Sequence, residues 1–147
     1  MMNMTMRGVA LAAALLAGTF AVQAQDMTEG NTLDGATFVL PKVWIQGEPL
    51  PLNGTNWTNH DGNRGSVIGV KYDFGDVVPS EPLDEMDDLW ARIQVSSSGT
   101  FSVELPYPDD AGWEIGSTHT IHLLTGSLGD NDKVRNPTLR VTVGAAE

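Results

Sequence analysis

The sequence predicts an all-β fold, a two-layer sandwich of about seven antiparallel strands preceded by a cleavable signal peptide. Three observations carry that expectation. Within residues 89–106, Leu89, Ala91, Ile93 and Val95 alternate with Trp90, Arg92, Gln94 and Ser96, and Phe101, Val103 and Leu105 then alternate with Ser102, Glu104 and Pro106. Period-two alternation marks strands with one buried face, and the short run Ser96-Ser97-Ser98-Gly99 between them reads as the turn of a hairpin. Gly99 is the residue that can take a positive φ there without a Cβ clash. Second, similar short apolar-alternating segments recur along the chain, separated by turn residues, and no soluble segment has helical periodicity. Third, a sheet with one apolar face needs another layer to cover it.

The elements follow in order. Residues 1–7 end in Arg7, residues 8–21 are an apolar Ala/Leu-rich run, and Val22 and Ala24 place small residues before Gln25. This is the pattern of a secretory signal peptide over residues 1–24. The run is shorter than the roughly 20 residues a membrane-spanning helix needs. Removing 24 of the 147 residues leaves 123, one domain's worth. A domain of that size buries roughly two-thirds of its unfolded surface and folds without staples. The chain has no cysteine, so it has neither disulfides nor a lipid-modified cysteine. Together with the leader this points to a bacterial protein, secreted and released.

Residues 25–35 are polar and aperiodic and read as a flexible N-terminal arm, with the sandwich domain over residues 36–147. Residues 37–45 are rich in β-branched and aromatic residues but contain Pro41, which cannot donate to a ladder, so the strand belongs at an edge and can switch sheets at the proline. Leu50 and Leu52 point to one side, Gly54 allows a bend, and Trp57 closes the end of the core. Residues 58–65 are a loop by composition. Ile68, Val70 and Tyr72 share the buried face of the next strand. Pro79, Pro82 and the acidic residues Asp84, Glu85, Asp87 and Asp88 mark a loop or short irregular edge. After the central hairpin, residues 107–117 connect to a strand with His119, Ile121 and Leu123 on one face. A polar turn over residues 126–137 leads to a last strand with Leu139, Val141 and Val143 inward. Seven strands with turn signals between them are the pattern of an immunoglobulin-like β-sandwich.

Three stretches carry a resemblance: Gly47–Trp57 (GEPLPLNGTNW), Val95–Pro106 (VSSSGTFSVELP) and Gly116–Ser127 (GSTHTIHLLTGS). With the closing TLRVTV they resemble bacterial immunoglobulin-like domains of secreted and cell-surface actinobacterial proteins. The resemblance implies a sandwich used for adhesion, spacing or protein recognition, without catalysis. The expected partner is a protein or a component of the cell envelope.

Charge narrows the partners. Against 8 Lys and Arg stand 19 Asp and Glu, a net charge of −11. Such a chain repels phosphate backbones and anionic lipids, which argues against nucleic acid and direct membrane binding. No cofactor or metal is expected. His119 and His122 are spaced H-x-x-H, which on a strand sends the rings to opposite faces. Asp130-Asn131-Asp132 opens like a calcium loop but lacks the sixth-position glycine and the distal glutamate, and Lys133 and Arg135 stand where ligands should be. An Asp/Asn turn is the simpler reading. No nucleophile elbow or other catalytic set stands out, and a carboxylate pair means little among so many acids. The chain is therefore not expected to be an enzyme. The binding candidates are Trp90 and Arg92, which alternation places together on the outer face, and Trp44. An exposed aromatic beside a cation anchors a protein partner or stacks on a sugar ring. The alternative function is accordingly a carbohydrate-binding module using exposed tryptophans.

Overall fold

The computed structural model describes residues 26–83 and 88–146, and the signal peptide expected over residues 1–24 lies outside them. Among the described residues there are nine strands and no α-helix. In chain order they are β1 (Met27–Asn31), β2 (Thr37–Pro41), β3 (Val43–Ile45), β4 (Leu50–Thr55), β5 (Val67–Tyr72), β6 (Ala91–Gln94), β7 (Phe101–Leu105), β8 (Thr118–Leu124) and β9 (Thr138–Gly144). They form a four-stranded sheet, β1-β2-β4-β7, and a five-stranded sheet, β3-β9-β8-β5-β6. The five-stranded sheet is mixed, because β3 runs parallel to β9, with Val43 opposite Thr142 and Ile45 opposite Gly144.

The layers close on one apolar interior. Ile68, Val70 and Tyr72 of β5 are fully buried, as are Leu50 and Leu52 of β4, and the alternation along each strand accounts for it. Phe101, Ile121 and Val141 meet in one cluster, with Val103 packed against it. Full burial of each such side chain is worth about 1.5–3 kcal/mol, which makes this interior the main source of stability. Trp57 closes one end, its Nε1 donating to the Thr37 carbonyl at 2.6 Å and its ring meeting Phe101 edge-on. Pro41 does not put its strand at the expected edge: β2 lies between β1 and β4, and the proline is tolerated because it is the last residue of the strand. β2 ends on it in one sheet, and after Lys42 alone β3 begins in the other.

Several expectations need correction. The strands number nine rather than seven, and they are not all antiparallel. Met27–Asn31, expected within a flexible arm, is strand β1, antiparallel to β2. Its polar composition hides it because an edge strand with a half-covered face needs little apolar alternation. Gly30 has a packing role there, since a Cβ would stand 2.4 Å from the Phe38 ring.

The central hairpin is not a hairpin. β6 pairs with β5, and β7 pairs with β4 in the opposite sheet. The turn between them is an arch: Val95 N donates to Ser66 O beside one sheet, while Gly99 O accepts from Trp57 N beside the other. Gly99 does take a positive φ, 85°. Alternation reports which face is buried and not which neighbour is paired, so it cannot separate the two connections.

The register also breaks at Trp90. Trp90 N donates to Val70 O at 2.8 Å, although Val70 already pairs with Ala91, so two residues face one as in a β-bulge. The extra residue exchanges the faces. Leu89 covers the outer side of Gly69 beside Leu128, and Trp90 turns inward onto Tyr72.

Candidate functional site

The three binding residues expected from the sequence do not form one surface. Trp44 is fully buried. Its Nε1 donates to Glu48 O at 2.7 Å, and its ring meets Tyr72, Tyr107 and Trp113 edge-on at 5.3–5.6 Å. It is a core residue, because β3 turns it into the interior while pairing with β9. Its expected role as an exposed tryptophan is corrected accordingly. Trp90 is half-buried, stacked on Tyr72 with ring centres 4.9 Å apart, and its Nε1 donates to Val77 O at 2.7 Å. Arg92 is exposed at the register position opposite Gly69, on the outer face. The bulge therefore separates Trp90 from Arg92.

Trp90 still reaches the surface along a cleft of about 400 Å³, where Tyr107 joins it and Asp76, Asp109 and Asp110 supply carboxylates. Burial is the larger cause, and Asp109 a lesser one, that raises the Tyr107 hydroxyl above its ordinary pKa. The cleft lies at the end of the sandwich where β5 leads to β6 and β7 leads to β8.

The opposite end carries a groove of about 530 Å³ between the β1–β2 turn and the β8–β9 loop. Leu33 and Val134 stand on its sides, both strongly exposed, and Asp34, His60, Lys133 and Arg135 line it. Composition hides these two residues in polar turns. The available signal is a lone apolar residue in each turn, at Asn31-Thr32-Leu33-Asp34 and Lys133-Val134-Arg135-Asn136, that no strand's alternation claims.

Arg135 makes the base of this groove rigid. Its Nε donates to Asp34 Oδ2 at 3.0 Å, Nη1 to Ser66 Oγ at 2.8 Å and Nη2 to Thr58 O at 2.6 Å. Its guanidinium also lies 5.3 Å from the Trp57 ring centre. Burial alone would raise the Asp34 carboxyl, but the Thr32 hydroxyl and the charges of Arg135 and Lys133 outweigh it and hold the pKa below the ordinary 3.8.

Asp132, third residue of the candidate calcium loop that opens at Asp130, is buried and accepts from Ser66 Oγ at 2.6 Å and from Val67 N at 3.2 Å. Its oxygens close the loop on the protein itself, as an Asp/Asn turn does. Among the described residues no group of three His, Cys, Asp or Glu side chains is arranged to hold a metal ion. His119 and His122 do face opposite ways: His119 Nδ1 lies 2.8 Å from Asp73 Oδ2, whereas His122 Nε2 lies 3.2 Å from Asn136 O and its ring meets Phe74.

No protein-family model matches the chain, and no curated protein matches it.

Proposed function

We propose that the chain is an exported immunoglobulin-like binding module that recognises a protein of the cell envelope or its surroundings through the loops at one end of the sandwich. The strand order supports the immunoglobulin-like reading. Behind the additional strand β1, a segment that crosses from one sheet as β2 to the other as β3 and ends parallel to the last strand, beside a β9-β8-β5 layer and a β2-β4-β7 layer, fits the arrangement of such domains. The observation that carries the functional reading is the pair Leu33 and Val134. Both are apolar, strongly exposed and fixed on turns held by Asp34 and Arg135, above a groove wide enough to take a partner's side chain. Exposed apolar residues rimmed by polar ones are how protein interfaces place their anchors. The net charge of −11 favours a partner whose contact surface is neutral or basic.

The test is quantitative. A partner captured from the envelope fraction is identified and titrated against wild type, Leu33→Asp and Val134→Asp. Each variant is expected to bind about ten-fold more weakly or worse, at least ~1.4 kcal/mol, with an unchanged melting temperature. Equal affinity in all three proteins removes the proposed surface.

A second reading, carbohydrate binding, is favoured by the Trp90 cleft, where two aromatic side chains stand with three carboxylates as in sites that stack and hydrogen-bond a sugar. Quenching of tryptophan fluorescence by a cell-wall glycan, lost in Asp109→Asn/Asp110→Asn, supports it. A flat titration across glycans eliminates it.

A further inference from the structure

The β7–β8 connection carries a three-residue arrangement that no binding role requires. Ser117 Oγ lies 2.9 Å from His119 Nε2, and His119 Nδ1 lies 2.8 Å from Asp73 Oδ2. Asp73 is held in turn by Thr120 N, which donates to its other oxygen at 3.0 Å. An ionised carboxylate can only accept, so the proton of a neutral imidazole sits on Nδ1, and Nε2 is left as the acceptor facing Ser117. Nucleophile, base and orienting acid thus stand within hydrogen-bond reach of one another in the order that acyl-transfer chemistry uses. We infer that Ser117, His119 and Asp73 form a serine-nucleophile relay that takes acyl groups from small activated esters.

Three further features favour this reading over a passive polar clip. His119 is clamped face to face on Trp113, ring centres 3.9 Å apart at 10°, which fixes the imidazole plane and shields it from water. Phe74, which follows Asp73, has a positive φ of 58°, a strained conformation for a bulky side chain that recurs at functional sites. Ser117 is only half-buried, beside the exposed Glu114, Ile115 and Gly116, and the space where a Gly116 side chain would point is empty. An ester can therefore approach from solvent, with Ile115 as an apolar surface for its acyl or leaving group. The Glu114 carbonyl accepts the single proton of the Ser117 hydroxyl in this arrangement, so that hydroxyl has to turn toward His119 Nε2 before Oγ can attack.

The step balances. Ser117 Oγ forms a bond to the ester carbonyl carbon as its proton passes to His119 Nε2, and the carbon–oxygen bond to the leaving alcohol breaks as His119 returns that proton to it. A water molecule then attacks the acyl-Ser117 with His119 as base, releasing the carboxylic acid and restoring the hydroxyl. General-base assistance of this kind contributes about 10²–10⁴-fold, so slow turnover with a measurable acyl-protein is expected.

The purified protein is incubated with p-nitrophenyl acetate and, separately, with a fluorophosphonate probe, and adducts are mapped by mass spectrometry. One adduct per chain on Ser117 is expected. Ser117→Ala should abolish it, and His119→Gln should slow it by about 10²-fold or more. The wild-type rate should fall on acidification, as loss of a general base requires. Because Asp73→Asn and His119→Gln touch the turn, Ser117→Ala, with its near-ultraviolet circular dichroism, serves as the folded control. Labelling that is equal in wild type and folded Ser117→Ala, or a rate unchanged in His119→Gln, overturns the inference.

Discussion

Arg135 holds the loop end together as a single buried cation. Its side chain is 1% exposed, and its partners Asp34, Thr58 and Ser66 come from three separate segments. Its removal leaves the buried Asp132 carboxylate, 3.8 Å from Nη1 and 1% exposed, without its counter-charge, and breaking a buried pair in this way costs about 3–5 kcal/mol. Arg135→Ala is expected to destabilise by that amount in urea denaturation, and Arg135→Lys to recover little, because an ammonium cannot reproduce the fork of three directed donors. The same contact makes the protein acid-sensitive. The Asp34 carboxyl has a lower pKa folded than unfolded, so its contribution is complete above the ordinary 3.8 and is lost as pH falls through the folded value. Unfolding midpoints should therefore drop below about pH 4, and less steeply in Asp34→Asn. Little of this was legible beforehand. The sequence places Arg135 in a polar turn where calcium ligands would be wanted. Its burial depends on Asp34, 101 residues away, which no local pattern reports. Asp73, His119 and Ser117 are hidden for the same reason: His119 lies on β8 and Ser117 just before it, but their acid arrives from a turn 46 residues before His119.

At the scale of elements, what chemistry forbids was easier to read than what it merely allows. Pro41 cannot donate to a ladder, and the strand does break and change sheet there, although β2 itself is flanked on both sides and is not at an edge. The buried faces of β4, β5, β8 and β9 were equally plain, since alternation reports burial directly. Pairing was not. The segment with the strongest alternation, residues 89–106, was assigned to one hairpin and in fact contributes to both sheets. The arch is held shut by its flanks. Gly65 lies so close to Val95 that a Cβ would stand 2.1 Å from the Val95 carbonyl oxygen. That neighbour is backbone and cannot swing away, so Gly65→Ala is expected to cost about 1–3 kcal/mol or more in chemical denaturation. Gly62→Ala, at a position with nothing within 4 Å, isolates the backbone cost of a positive φ and should be the milder variant.

Over the whole molecule the two-layer class was legible and the placement of function was not. The loop groove with Leu33 and Val134 sits at one end of the sandwich. The Trp90 cleft and the Ser117 relay sit at the other, where β5 and β7 finish and β8 begins. Sites at opposite ends that share no partners behave additively. A Leu33→Asp/Ser117→Ala double variant should therefore show the partner affinity of the first change and the labelling of the second, with no cross-effect in titration or mass spectrometry. The parallel contact of β3 with β9 has a mechanical consequence. Val43–Ile45 and Thr142–Gly144 point the same way, so opposed tension on the chain drags them lengthwise past each other. After β1 and β2 have peeled away, that short ladder must yield all its bonds at once rather than unzip one at a time. A pulling force would meet its main resistance there, in three residues of each strand.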